Sequence, residues 1–191
     1  MHKATARILQ LLVLAILVIV IQAHASGALT ARLYNQTRRV QATVTRVIDG
    51  DTIRVRVGGR TERVRLIGVD TPETSRNEKF MRDITRERSL TPDELLGYGA
   101  KAREFTEMLA PPGSRVGLEM DVQKRDRYGR LLAYVWVGVS DGGKGTALLN
   151  AELLKAGLAK TMTIKPDVKR AKYLKKLMKD AQRRGVGMWS K

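Results

Sequence analysis

The sequence contains no cysteine and only two histidines, and these shortages exclude several kinds of chemistry. Both histidines, His2 and His24, lie in the first 25 residues, so a mature chain starting at Ser26 would contain neither residue type. Nucleophilic catalysis by Ser-His-Asp or Cys-His groups is therefore excluded, and so are zinc sites of the usual cysteine and histidine kind. Any reaction must use carboxylates, arginine, lysine, tyrosine or metal-bound water.

The lack of cysteine also means that no disulfide can stabilise the fold. Stability must then come from core packing and from any bound metal, and 191 residues are enough for one domain with a substantial core. We expect residues 40–191 to form this domain and residues 26–39 to be a flexible spacer that precedes it.

The first 25 residues have the features of a secretory signal peptide. Lys3 and Arg7 form a basic start, residues 11–21 are apolar, and Ala23-His24-Ala25 provides a small-x-small cleavage site. The alternative is an uncleaved anchor, although the apolar run is short for a membrane span. The protein is expected to be secreted or periplasmic, or else anchored to a membrane and facing outside the cytoplasm.

The chain is strongly basic, with a formal net charge of +17 at pH 7. Loss of the leader removes only two of the basic residues, so a mature chain stays strongly positive. A polyanion is the expected partner. Nucleic acid fits best, because neutralised phosphates release counterions and basic charge steers the encounter, while an anionic membrane surface is the competing interpretation.

Residues 48–74 predict a β-hairpin with acidic groups at both ends. Apolar and charged residues alternate over 53–57 and 63–66, and Gly58-Gly59 between them supplies a turn that needs positive φ. Two carboxylates precede the first strand and two follow the second: Asp49, Asp51, Asp70 and Glu73. Antiparallel pairing brings these ends together, so the sequence predicts an oxygen-rich site for calcium or magnesium.

The whole pattern predicts an α+β fold, a five-stranded OB-fold barrel with three packed α-helices. Alternating or apolar stretches predict five strands, over residues 40–45, 53–57, 63–66, 116–120 and 131–139. Helical spacing predicts three helices, over residues 102–109, over 148–157 and after Pro166. Barrels of this type present one face and the neighbouring loops to oligonucleotides, which agrees with the basic charge.

Residues 75–97 are charged and irregular, and we expect a loop there. Within it, Thr91, Pro92 and Glu94 can start one helical turn as N-cap, first residue and returning carboxylate. A long loop beside an acidic site is often a lid, and a solvated segment without a role is an equally open interpretation.

The residue types suit phosphodiester hydrolysis. This reaction passes through a five-coordinate phosphorus with extra negative charge, so it needs cations, a positioned water and a group that removes a proton. Asp51 and Asp70 can ligate a hard cation, and Glu73 can orient or deprotonate water. Arg65 and Arg130 are candidate phosphate clamps, because a guanidinium matches phosphate oxygens and stays charged.

Three motifs resemble the thermonuclease, or staphylococcal nuclease, family over residues 40–189. They are Ile48-Asp49-Gly50-Asp51-Thr52, Arg65-Leu66-Ile67-Gly68-Val69-Asp70-Thr71-Pro72-Glu73-Thr74 and Asp126-Arg127-Tyr128-Gly129-Arg130. The resemblance implies an OB-fold and calcium-dependent cleavage of DNA and RNA with little sequence specificity, leaving 3′-phosphate ends. It implies no protein partner, and a monomer is expected.

The same resemblance assigns roles to individual residues. Asp51, Asp70 and the main-chain carbonyl of Thr71 would hold calcium. Glu73 would act on the attacking water, and Arg65 and Arg130 would bind the phosphate and stabilise the transition state. Arg127 and Tyr128 would bind the substrate, with Tyr128 along the nucleotide.

The sequence departs from the family pattern at two places. Residues 75–97 exceed the family's usual loop length, and residues 161–164 replace tyrosines that often flank the nucleotide, so base stacking is expected to be weaker. Two other functions stay open at this point. One is a non-catalytic nucleic-acid-binding barrel, and the other is a basic scaffold held at a membrane by an uncleaved leader.

Overall fold

The computed structural model describes residues 39–86, 90–138 and 146–190, which form eight β-strands, four α-helices and one short 3-10 helix. The strands are β1 (Val40–Asp49), β2 (Thr52–Val57), β3 (Arg60–Leu66), β4 (Gly68–Asp70), β5 (Arg115–Glu119), β6 (Leu131–Val137), β7 (Ala147–Leu148) and β8 (Lys160–Met162). The α-helices are α1 (Glu78–Arg86), α2 (Pro92–Leu109), α3 (Leu149–Lys155) and α4 (Ala171–Arg184), and the 3-10 helix is Gly187–Trp189.

The predicted signal peptide and spacer, apart from Arg39, lie outside the described residues. Each helix within residues 39–86, 90–138 and 146–190 is too short or too polar to span a bilayer.

Five strands close into a barrel, which confirms the predicted OB-fold. They pair in the order β3, β2, β1, β5 and β6, and a parallel pairing between β3 and β6 closes the ring. In that closing pair Val64 lies opposite Leu131 and Leu66 lies opposite Ala133. The remaining strands are short additions: β7 pairs with β6, and β4 pairs with β8 in a separate two-stranded sheet.

Alternation along the strands places apolar side chains inside the barrel. In β2, Ile53 and Val55 are fully buried, while Arg54 between them is exposed. Each such burial contributes about 1.5–3 kcal/mol to folding. The hairpin between β2 and β3 turns at Gly58 and Gly59, whose φ angles of 54° and 76° are the positive values that the turn requires.

Helix α2 includes both the predicted helical turn at Thr91 and the helix predicted over residues 102–109. Thr91 caps its N-terminus, Pro92 is its first residue, and Glu94 completes the predicted capping box. The helix does not end after one turn but continues to Leu109, through the stretch predicted as a separate helix. The two glycines inside it, Gly97 and Gly99, do not interrupt the helix, and Gly99 is buried against the chain that precedes α1.

The prediction of a loop over residues 75–97 is wrong, because this segment contains α1 and the start of α2. Helix α1 begins where the Asn77 side chain accepts a hydrogen bond from the Phe80 backbone amide, 2.9 Å away. Phe80 is 1% exposed and anchors the helix to the domain. Phe80 lies among charged residues, so the sequence pattern did not indicate a helix here. The described residues therefore contain four α-helices, where three were predicted.

Candidate active site

Two acidic turns meet at one end of the barrel, as the hairpin geometry predicts. The turn between β1 and β2 carries Asp51, and the chain after β4 carries Thr71 and Glu73. The Thr71 backbone amide donates a hydrogen bond to Asp51 Oδ2 at 2.9 Å, and the Thr52 hydroxyl donates to Asp51 Oδ1 at 3.0 Å. Asp51 therefore has a fixed orientation.

Helix α2 holds both turns in place. The buried Thr106 hydroxyl donates a hydrogen bond of 2.6 Å to the Gly50 carbonyl, which fixes the first turn. At the second turn, a Cβ added to Gly99 would lie 2.1 Å from the Glu73 carbonyl oxygen. Only a residue without a side chain permits this approach, so Gly99 allows α2 to support the backbone of Glu73.

Arg65 joins the two turns from the end of β3. Its guanidinium pairs with Asp51 and, over 2.8 Å between Nη2 and Oδ1, with Asp70. The side chain is buried, and burial alone would lower the pKa of Arg65, but Asp51 and Asp70 raise it above its ordinary value. Arg65 is thus a permanent cation that solvent screens only weakly.

Arg130 lies at the end of the segment between β5 and β6. Asp126 orients it: Oδ2 accepts a 2.7 Å hydrogen bond from Arg130 Nε, and Oδ1 accepts from the Arg130 amide at 3.0 Å. Burial would raise the pKa of Asp126, but the hydrogen bonds from Arg130 lower it overall. Tyr128 is 60% exposed, and the guanidinium groups of Arg127 and Arg130 lie 4.8 and 5.5 Å from its ring centre.

A cavity of about 470 Å³ is lined by seven of the eight predicted site residues: Asp51, Arg65, Asp70, Glu73, Arg127, Tyr128 and Arg130. The eighth, Thr71, is 1% exposed and lies behind this lining. The structure therefore brings the predicted residues together around one cavity. Their individual roles stay predictions.

The comparisons with known proteins agree with this arrangement. The family profile described as Staphylococcal nuclease homologue matches residues 63–191, which is more than half of the chain. The chain belongs to the staphylococcal nuclease family. It is therefore a nuclease, an enzyme of the hydrolase class.

Three relatives of this staphylococcal nuclease family member show how much of the chain the similarity covers. A Thermonuclease of Staphylococcus intermedius is 35% identical over 191 residues, which is 100% of both chains. A Thermonuclease of Staphylococcus hyicus is 38% identical over 77% of this chain and 74% of its own. The Endonuclease YncB of Bacillus subtilis (strain 168) is 34% identical over 82% of this chain and 65% of its own.

Lys79, from α1, reaches into this nuclease site. Its Nζ lies 2.9 Å from the Thr71 carbonyl oxygen, 2.9 Å from Glu73 Oε1, 3.1 Å from Asp83 Oδ2 and 3.5 Å from Asp70 Oδ1. Burial would lower the pKa of Lys79, but Asp70 and Glu73 raise it above its ordinary value. We call these four oxygens and their residues the oxygen cage.

Several carboxylates lie close together in the site, although six basic side chains line the same cavity. Burial is the largest reason that the pKa of Asp49 rises to about 7, and the carboxylates of Asp51 and Glu73 add to the rise. Burial also raises the pKa of Asp70, against the opposing effect of Lys79 and Arg65. A cation placed close to these carboxylates would offset the repulsion between them.

The oxygen donors at the site are of the chemical type that a hard divalent cation takes. Within residues 39–86, 90–138 and 146–190, no group of three or more acidic, histidine or cysteine side chains converges as a metal site. The Lys79 ammonium, however, is a compact cation, and the oxygen cage around it includes Asp70 and the Thr71 carbonyl. Carboxylate and carbonyl oxygens are the ligands that calcium prefers.

Sequence reasoning missed three residues of this site. Lys79 and Asp83 fall in the segment predicted as a loop, and their i,i+4 spacing is a signal only if that segment is helical. Asp126 lies in the quoted Asp126–Arg130 motif, but its role in orienting Arg130 depends on a turn that brings its carboxylate back onto the arginine.

Proposed function

We propose that this chain is a calcium-dependent nuclease that hydrolyses phosphodiester bonds of DNA and RNA with little sequence specificity and leaves 3′-phosphate ends. The observation that carries the proposal is the cavity in which two arginines and a glutamate face an oxygen-rich cation site: Arg65, Arg130, Glu73 and the oxygen cage. The family and the names of the nuclease relatives support the same reaction class.

The two arginines bind the scissile phosphate. Arg65 is held by Asp51 and Asp70, and Arg130 is held by Asp126, so each guanidinium is oriented before substrate arrives. Preorganised charge of this kind stabilises the transition state without a further cost of reorientation. Both arginines keep their charge throughout the working pH range.

Glu73 removes the proton from the attacking water. The water oxygen bonds to phosphorus, the bond from phosphorus to O5′ breaks, and the departing O5′ takes a proton from solvent. The cleaved strand then keeps a 3′-phosphate. Asn77 Nδ2 donates to Glu73 Oε2 at 2.6 Å, so one carboxylate oxygen is held while the other, Oε1, faces Lys79.

Asp51, Asp70 and the Thr71 carbonyl would hold calcium. When bound, calcium supplies positive charge that offsets the charge developing on the phosphate oxygens. The exposed Tyr128 and Arg127 offer a ring face and a cation to the nucleotide. Neither group reads a particular base edge, which supports cleavage of both DNA and RNA at many sequences.

A digest with calcium or with a chelator tests the proposal. The unaltered protein should cut plasmid DNA and a single-stranded RNA in calcium, and excess chelator should abolish both reactions. A polymerase should extend the DNA products only after phosphatase treatment, because a 3′-phosphate blocks extension. Cleavage that survives the chelator, or products that extend directly, would contradict the metal requirement or the cleavage position.

We also propose that the enzyme acts outside the cytoplasm. The support is the leader pattern with its basic start, apolar run and Ala23-His24-Ala25 sequence. Mass spectrometry of the protein recovered from its host should find a chain that begins at Ser26. A chain that retains the leader would instead favour a membrane anchor.

A further inference from the structure

The Lys79 ammonium lies among oxygens of the nuclease site that could otherwise bind a metal cation. Its ammonium contacts one oxygen from each of Asp70, Thr71, Glu73 and Asp83. Its side chain is 28% exposed, so the charge is largely removed from water but remains within reach of it. The helix that carries Lys79 is anchored by the buried Phe80, which keeps the ammonium close to the cage.

The oxygen cage shares two donors with the proposed calcium site, Asp70 and the Thr71 carbonyl. Calcium binds its oxygens at about 2.3–2.6 Å, and like charges at such separations repel strongly where the dielectric constant is low. The ammonium and a divalent ion therefore compete for these two oxygens.

We propose that Lys79 is a tethered competitor of the divalent cation, so that cation binding requires the ammonium to leave the oxygen cage. This inference rests on the proposed cation site of the nuclease. It makes Lys79 a residue that sets the cation concentration at which the enzyme works. Because the competitor belongs to the same chain, it weakens cation affinity by a factor that does not depend on protein concentration.

The exchange also affects Glu73. In the described structure Glu73 Oε1 is paired with Lys79 at 2.9 Å, and Oε2 accepts from Asn77. Both carboxylate oxygens of Glu73 are thus engaged by other side chains and not by the attacking water. Departure of the ammonium frees Oε1 for water, so cation binding and activation of Glu73 occur together. Lys79 thus acts through Glu73 and the cage as a positioning residue.

Calorimetric titration of calcium, without nucleic acid, tests the competition. Lys79→Met keeps most of the unbranched side chain and removes its charge, so calcium should bind at least about tenfold more tightly than to the unaltered protein. Lys79→Arg retains the charge and should keep the weaker affinity. Lys155→Met is the matched control, since it removes an exposed lysine paired with Glu152 at 2.7 Å and should leave the affinity unchanged.

Chemical labelling of the unaltered protein provides a second measurement that needs no variant. Acetic anhydride should modify Lys79 slowly without calcium and at least about tenfold faster with saturating calcium, because the ion pairs hold the amine in its protonated form, which cannot attack the anhydride. Lys155 should react equally in both conditions. Peptide mass spectrometry quantifies both sites.

Both measurements omit substrate, so a failure of the nuclease proposal leaves their outcomes unchanged. Tighter binding to Lys79→Met and faster labelling in calcium support the competition. Equal calcium affinity in Lys79→Met and the unaltered protein would overturn it. So would a labelling rate of Lys79 that calcium leaves unchanged or lowers.

Discussion

At the scale of single residues, the two arginines of the site differ in how they are supported. Arg65 is 7% exposed and bridges two carboxylates, so it supports the fold in addition to its proposed role in phosphate binding. Arg130 has a side-chain exposure of 25% and pairs with Asp126 on a surface turn. Truncating or reshaping a buried ion pair costs far more stability than changing an exposed one.

We therefore expect Arg65→Lys and Arg130→Lys to share a kinetic defect and differ in stability. Each loses the planar fork and should cost about 3 kcal/mol of transition-state stabilisation in kcat/KM. Urea unfolding should show a clear loss of stability for Arg65→Lys and little change for Arg130→Lys. Arg54→Lys, at an exposed position of β2, is the control. Near-parental kcat/KM in Arg65→Lys would remove that residue from the mechanism.

At the scale of elements, α2 is the support for both acidic turns. It binds the Gly50 carbonyl through Thr106 and packs Gly99 against the Glu73 backbone. The second contact is possible only at the glycine, since a Cβ there would also lie 2.6 Å from the Glu73 carbonyl carbon. The position of the proposed base thus depends on a residue that bears no functional group.

Gly99→Ala should displace Glu73 and reduce kcat by at least about tenfold, because small shifts of a catalytic group are costly. The matched control is Gly97→Ala in the same helix, where an added Cβ meets nothing within 4 Å. That control should keep its activity and gain about 1 kcal/mol of stability from better helix propensity. Steady-state kinetics and thermal unfolding of both variants test this. Equal activity in the two would show that the Glu73 backbone tolerates the methyl group.

The start of α4 is tied to β5 through Glu119. This carboxylate is 4% exposed and accepts from Arg170 Nη2 at 2.7 Å, from Lys169 Nζ at 2.6 Å and from Trp136 Nε1 at 2.8 Å. Burial would raise the pKa of Glu119, but these hydrogen bonds lower it below its ordinary value.

Because folding lowers this pKa, the unfolded chain binds the proton of Glu119 more readily than the folded one. The contribution of Glu119 to the free energy of unfolding is therefore fully present above its ordinary pKa of 4.5. It is lost as the pH falls towards the lower pKa of the folded state. We expect Glu119→Gln to lose about 3 kcal/mol at pH 7 and progressively less below pH 4.5. Urea unfolding across pH tests this against exposed Glu107→Gln, and a constant difference would exclude the linkage.

The sequence was sufficient to predict the barrel and most of the residues that line the cavity. Alternation in the strands and the double-glycine turn determine the hairpin, and the hairpin determines that its acidic ends meet. Local patterns could not predict α1, because Phe80 is the one apolar side chain that this helix buries completely and its neighbours are mostly charged. Lys79 and Asp83 were missed with it. Contacts such as Gly99 with Glu73 join residues from different elements, and no local pattern reports them.

At the scale of the whole molecule, basic charge extends beyond the active site. The net charge is +17, and the exposed side of α4 forms an open groove of about 730 Å³ lined by Lys172, Lys175, Lys176, Lys179, Gln182 and Arg183. Such a surface attracts any polyanion irrespective of its sequence. Association with nucleic acid should thus be dominated by charge.

We expect the affinity of Glu73→Gln for unrelated oligonucleotides to fall steeply and similarly with salt. Each neutralised phosphate should contribute roughly one unit to the slope of log affinity against log salt concentration. Fluorescence anisotropy across a salt series, with calcium held constant, measures this slope. A flat response, or a strong preference for one sequence, would contradict electrostatic association.

The central claim is that Glu73 is the base of a metal-dependent nuclease, and one kinetic comparison tests it most directly. The measurement is the single-turnover cleavage rate of Glu73→Gln at saturating calcium, relative to the unaltered protein, with Glu107→Gln as the exposed control. Glutamine keeps the size of the side chain but cannot accept the proton, so the rate should fall by at least about 100-fold while substrate affinity changes little. A near-parental rate at saturating calcium would contradict the account.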